Sequence, residues 1–272
     1  MTEAEYNAAE GIRRSDLWRM EESPEKFRYF MDHPVEKTPA MEFGSACHKM
    51  ILEPADFGNE YCIAPDVDMR TKEGKAAWAA FAEDNAGKTM ISAGDAEIMR
   101  EMEEALERCP LAWKLIRGKG ETEQAFFWTD KDTGEKCKIK CDRLVKYNRR
   151  WYLVDYKTTA SAETNRFNAD LWKLGYYMQA GMYAEGVKAA KRLRKMPGFL
   201  FVAQEKKAPY SVNVIEVSEE VMDAGVGKFH QLLDKYHACK EVDIWPGYMT
   251  SDVPNDAFVP TWMQQMLDEE VE

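Results

Sequence analysis

Apolar positions recur with helical spacing over residues 12–32, where Ser15 or Asp16 would cap the run and Ser23-Pro24 would break it. A second helix is predicted over 43–52, opened by the small residues Gly44, Ser45 and Ala46. Residues 54–70, with Pro54, Gly58 and Pro65, read as loop. Helical periodicity returns over 72–86 and 93–108 and stops at Cys109-Pro110. The texture then changes. Residues 123–129, 136–145 and 151–157 are rich in β-branched and aromatic side chains. Turn-forming sequence separates them, Asp130-Lys131-Asp132-Thr133-Gly134 first and Tyr147-Asn148-Arg149-Arg150 second. A long helix over 169–195, strands over 198–204 and 210–217, and a helix over 219–239 complete the pattern. The tail from 241, with Pro246, Pro254 and Pro260, reads as irregular. No repeat or linker divides the chain, so the pattern predicts one α/β domain over 1–272, mostly helical to 110 and with its core over 120–240.

The charge is uneven. The 272 residues carry a net -11, but 111–240 hold 24 basic against 16 acidic side chains, while 1–110 hold 13 against 24 and 241–272 hold none against 8. An acidic total makes nucleic acid a poor default partner, because phosphate contacts need cations. The basic middle nevertheless leaves room for a local cationic groove. Its densest run, Lys188 to Lys195, fits either a nucleic-acid contact or a solvated helix end favoured by the macrodipole. No apolar stretch approaches the ~20 residues of a membrane span. Met1 to Gly11 is acidic and lacks the apolar centre of a secretory signal. Six scattered cysteines do not form a disulfide framework, and a cytoplasmic location is expected.

The chemistry concentrates in the strands. Asp155 and Lys157, two apart, share a face, though acid-x-Lys alone is common and recurs at Glu73-Gly74-Lys75. A tight turn at Asn148-Arg149 would pair residues whose numbers add to 297, setting Asp142 opposite Asp155; a turn centred on Asp132-Thr133 would set Glu123 opposite Asp142. Opposed carboxylates about 5 Å apart repel. Such a row is expensive without a cation among them, and magnesium or manganese suit an all-oxygen shell. Gln179 and Tyr183 share a helix face, and His48 offers an imidazole.

Taken in order, His48, Asp142, Asp155-Tyr156-Lys157 and Gln179-x-x-x-Tyr183 resemble the PD-(D/E)XK nuclease signature in its RecB-like form. Added stretches carry the resemblance further: Arg14-Ser15-Asp16-Leu17, Ser23 to Phe27, Phe43 to His48, Leu52-Glu53-Pro54, Cys141 to Leu144, Thr158-Thr159 and Gln179 to Tyr183 are similar to the nuclease domain of RecE, exonuclease VIII, and its phage relatives. Ile139 departs from this pattern, standing where RecB-like members often carry the glycine of G-x-x-D.

The resemblance implies a restriction-endonuclease-like core, a mixed central sheet flanked by helices. It implies magnesium-dependent hydrolysis of DNA, with manganese as a substitute. Asp142, Asp155, the Tyr156 carbonyl and His48 would hold the metal, with Glu123 as an outer ligand. Lys157 would orient or deprotonate the attacking water, Gln179 would position Lys157 or the substrate, and Tyr183 would support the helix. The activity implied is degradation of linear duplex DNA from its 5′ end by a ring-shaped homo-oligomer, alongside a RecT-type single-strand annealing protein, in a phage or prophage. An endonuclease of the same fold and a silent DNA-binding subunit stay open. Arg14, beside Arg13, is a candidate for a 5′-phosphate, and Lys191, Arg192 and Arg194 for DNA. Only Cys239 lies beyond Cys141, so the late cysteine trio of iron–sulfur RecB-like nucleases is missing and no cluster is expected.

Overall fold

The computed structural model describes residues 1–249, 251–260 and 263. Helix α1 (Glu3–Ala8) begins with a reciprocal cap: Thr2 Oγ1 accepts the Glu5 N–H, and the Glu5 carboxylate accepts the Thr2 N–H. The run expected over 12–32 is two helices, α2 (Arg14–Glu22) and α3 (Pro24–Asp32). Ser23 ends the first and caps the second. Neither Ser15 nor Asp16 is the cap of α2; Asp16 sits one turn in and accepts the Arg13 Nε–H at 2.8 Å. Helix α4 (Pro39–Leu52) starts ahead of the predicted 43, behind a Thr38 cap. The loop expected from residue 54 is instead helix α5 (Pro54–Glu60) and strand β1 (Tyr61–Ile63). Pro54 stands in the first turn, where its missing N–H costs nothing, so it opens a helix. Helix α6 (Lys72–Asp84), strand β2 (Thr89–Ile91), parallel to β1, and helix α7 (Ala93–Glu107) follow. Pro110 opens a further helix, α8 (Pro110–Arg117).

Strands β3 (Gly120–Thr129), β4 (Lys136–Tyr147), β5 (Arg150–Thr159), β6 (Gly198–Glu205) and β7 (Val212–Glu216) form one sheet in that order, antiparallel except for β5 and β6. The crossover to β6 uses α9 (Thr164–Lys173) and α10 (Tyr176–Ala190), where one helix over 169–195 was expected. Gly175 divides them at φ 68, with the Trp18 ring where a Cβ would lie. Helix α11 (Glu219–Val242) packs against α10. Alternation along β5 and β6 sends Leu153, Phe199 and Phe201 into one apolar layer with α2, α9, α10 and α11. It sends Val154, Tyr156 and Val202 into the other, with α4, α7 and α8. The expected mixed sheet flanked by helices is therefore present.

Two irregularities place the candidate functional residues. In β3 and β4 the ladder skips Glu123 and Asp142 while keeping its register on both sides, and Glu123 has φ 51. The pleat slips there: Cys141 and Leu144, three residues apart, enter the same layer. Beyond Arg143↔Val154, β4 and β5 also diverge. The edge of β4 so freed is taken by the N-terminal segment, whose Ile12 N–H donates to Lys136 O at 2.8 Å and whose Ile12 O accepts the Lys138 N–H at 3.0 Å. Buried Lys138 holds the end of α1, its ammonium donating to the carbonyls of Tyr6, Asn7 and Ala9.

Residues 243–249 and 251–260 have no helix or strand, and Met263 is helical. Trp245 stacks on Phe27 at 5.3 Å. Among the described residues no helix is long and apolar enough to cross a membrane. At the α10–α11 crossing, a Cβ on Gly181 would meet the Val226 nitrogen at 2.3 Å. Gly181→Ala is expected to cost about 1–3 kcal/mol, read as a lower midpoint in urea unfolding, because backbone on both helices must move.

Candidate active site

The expected registers, pairs adding to 265 and 297, are those observed. Asp142 and Asp155 are the next pair beyond the last rung of the β4–β5 ladder, at the point where the strands fork. There Tyr156 N–H has lost its strand partner and donates instead to Asp142 Oδ2 at 2.7 Å. His48, on α4, points Nε2 at the same oxygen at 2.8 Å; a carboxylate only accepts, so Nε2 carries the proton. Glu123 lies on the other side of the ring, Oε1 3.6 Å from His48 Nδ1, and pairs with Lys140 at 2.7 Å. Asp155 accepts the Gln179 amide on Oδ1 and lies 2.7 Å from Lys157 Nζ on Oδ2.

Burial pushes the Asp155 carboxyl above the usual range and Asp142 adds to the rise, against the pull of Lys157. Burial also acts against the charge on Asp142, but the His48 imidazole and the Tyr156 amide outweigh it and hold this carboxyl low. Glu123 is raised by burial and by Asp142. Burial disfavours a charged His48, yet the Asp142 carboxylate raises its pKa to about 8. Lys157, likewise buried, is raised by Asp155 and Asp142 and keeps its ammonium.

One polar atom here is left over. Asp155 Oδ2 is buried and receives no aligned hydrogen bond, although Lys157 is close enough for ionic attraction. A buried carboxylate oxygen without an aligned hydrogen bond, beside a second carboxylate, leaves coordination for a cation besides the Lys157 ammonium. His48, Glu123 and Asp142 each offer a ligand atom, all within 4.8 Å of one another. Carboxylate oxygens with one imidazole are the donors of a hard or borderline divalent ion, so the residues fit a metal.

A cleft of about 1200 Å³ opens over this cluster, walled by Met1, Glu3, Ser45, Lys49, Thr158 and Lys206 among others. The remaining predicted residues distribute unevenly. Gln179 reaches Asp155 rather than Lys157, which with the substrate was one of its two expected partners. Tyr183 sits in the α10 layer, edge-on to Phe199 at 6.5 Å. Arg14 packs its guanidinium over Trp18 at 5.3 Å, donates to Leu174 O, and leaves a buried Nε without an acceptor. Lys191 is paired with Glu121 at 2.7 Å, whereas Arg192 and Arg194 are exposed. Two residues escaped sequence reasoning. Lys140 is two before Asp142, and strand alternation alone points to it. Tyr176, whose ring lies 5.1 Å from Lys157 Nζ, follows the unforeseen break at Gly175.

Residues 14–252 match the family described as a PDDEXK-like domain of unknown function (DUF3799). The chain belongs to that family. A crystal structure named "putative exonuclease" from Eubacterium rectale superposes with a TM-score of 0.62 at 14% identity, covering 97% of each chain. A second structure, named SSO0001, is matched at 14% identity over 70% of this chain and 85% of its own, with a TM-score of only 0.32. No curated protein matches the sequence.

Metal addition is expected to raise the melting temperature. Manganese at a hundred times its Kd stabilises by about 2.7 kcal/mol, and Asp142→Asn removes the shift in a thermal melt. In EDTA the His48–Asp142 pair should act through the imidazolium. The folded pKa of about 8 exceeds the ordinary 6.5, so its contribution is full below 6.5 and is lost as pH rises through 8. The difference in melting temperature between the parent and His48→Gln should therefore shrink over that window.

Proposed function

We propose that this protein is a metal-dependent exodeoxyribonuclease that resects the ends of linear double-stranded DNA, 5′ to 3′, in phage or prophage recombination. The observation that carries the reading is the convergence of Asp142, Asp155 and Lys157 at the strand fork, with one buried Asp155 oxygen lacking a hydrogen bond. The name of the Eubacterium rectale neighbour, and the RecE-like stretches that begin at Arg14, favour an exonuclease over a same-fold endonuclease.

His48, Asp142, Asp155 and the Tyr156 carbonyl would hold one or two magnesium ions, with Glu123 outside them. When bound, such ions stabilise the attacking and leaving oxygens of an in-line displacement at phosphorus. The chain supplies the rest. Lys157 keeps its proton between two carboxylates, so it donates to the attacking water or the phosphate and is a poor base near neutrality. Gln179 fixes the rotation of Asp155 by holding Oδ1. Tyr183 anchors the helix that carries Gln179, and Tyr176 shields one side of the Lys157 ammonium. Arg14 suits a terminal phosphate once its buried Nε turns out from Trp18, and Arg192 and Arg194 suit the DNA behind it. Lys191 joins them only by releasing Glu121. By the same resemblance, the working form is a ring-shaped homo-oligomer serving a RecT-type annealing protein.

The test is hydrolysis of 5′-labelled linear duplex beside a covalently closed circle, with magnesium or with EDTA. Loss of the linear DNA alone, abolished by EDTA and by Asp155→Ala, supports the reading; cutting of the circle makes the protein an endonuclease, and binding without turnover makes it a silent subunit. Lys157→Ala should lower turnover about 100-fold, the usual cost of one transition-state donor, while DNA binding in calcium persists.

A further inference from the structure

At the start of β5, short of the acids, lies a second pocket, of about 580 Å³. Its apolar floor is Trp151, Leu193, Met196 and Pro197, and its rim carries Arg149, Arg150, Arg194 and Lys195 against one carboxylate, Glu219. Trp151 is four residues before Asp155 on the strand, or about 13 Å at the extended rise, so the pocket is separate from the metal cluster.

None of these four cations has an acidic partner among the described residues, although most surface lysines and arginines near the cleft do. One of them, Arg149, also has a costly backbone setting. Asn148 and Arg149 form the two-residue hairpin turn with φ 46 and 64, a conformation that favours glycine at the second position. Arg192, in the neighbouring loop, has φ 53. An arginine in the left-handed region costs of order 1 kcal/mol and here gains no ion pair in return. Arg150 also lies over the Tyr152 ring at 5.5 Å, but four cations without an acidic partner around an aromatic floor, one of them held at conformational cost, mark a site for an external ligand.

We propose that this pocket binds single-stranded nucleic acid, with phosphates on the arginine rim and an unstacked base against Trp151. Arginine forks match phosphate oxygens in pairs, and an aromatic floor takes a base of any identity. A duplex, whose bases are stacked inward, cannot fill the floor. An acidic polypeptide would satisfy the rim but has no use for the indole. Under the exonuclease reading, on which this inference builds, the ligand is the strand left unpaired by resection.

The experiment uses the full chain carrying Asp155→Ala, in EDTA, so that binding is read without hydrolysis. Fluorescent oligothymidylate is titrated by anisotropy at several salt concentrations. Arg149→Ala with Arg150→Ala should weaken binding by roughly tenfold or more and lower the slope of log K against log salt by about 0.7 for each lost contact. Trp151→Phe should retain binding that Trp151→Leu loses, at an unchanged salt slope. Equal affinity in parent and double arginine variant would overturn the proposal, as would displacement of a bound acidic peptide from this rim with no affinity for the oligonucleotide. Binding that depends on Arg149 and Arg150 in a protein that never hydrolyses DNA would sink the nuclease reading and leave the pocket assigned.

Discussion

The hydrogen bond from the Tyr156 amide to the Asp142 carboxylate is where fold and chemistry become one problem. Neighbouring strands of a sheet can separate only if the released backbone groups find other partners, because a buried amide without one costs about 1–3 kcal/mol. Asp142 supplies that partner from a side chain. It must therefore stay ionised in a buried place, next to a second buried acid at the same fork. The surroundings answer this demand from three elements: the His48 imidazole from α4, the Lys157 ammonium from the next turn of the pleat, and the Gln179 amide from α10. His48 and Gln179 each hold one oxygen by a hydrogen bond, whereas Lys157 meets Asp155 Oδ2 by ionic attraction alone, leaving that oxygen without an aligned donor.

Sheet register was readable because turn chemistry sets it locally. Asn148-Arg149 allows one tight hairpin, and from it the opposition of Asp142 and Asp155 follows by counting. The slip of the pleat at Glu123 was not readable, since a non-glycine residue at φ 51 carries no composition signal. Helix boundaries failed for a different reason. Pro54 and Pro110 open helices, and a proline looks alike in sequence whether it starts an element or stops one. Gly175 was hidden inside a continuous helical pattern; its conformation is required by the Trp18 ring, a contact 157 positions away in the chain.

The same distinction governs the site residues. Spacing shows which side chains share a face, and that was enough to bring together Asp155 with Lys157 and to associate Gln179 with Tyr183. It does not show what the face meets. Gln179 proves to serve Asp155, and Lys191 is engaged by Glu121 from β3, because both outcomes depend on how helices sit on the sheet. His48 is the clearest case: its role rests on a carboxylate 94 residues later, and only the order of motifs made that partnership visible.

Ile12, lying along the edge of β4 that β5 vacates, has a consequence for how the molecule is made. The first dozen residues leave the ribosome long before residues 136–138, the strand segment they pair with, have been joined to the chain. The opening segment must wait, unpaired, through the synthesis of more than a hundred residues before the wall that Met1 and Glu3 give the cleft can close. A nascent chain keeps this side of the cleft open until residues 136–138 arrive to hold it.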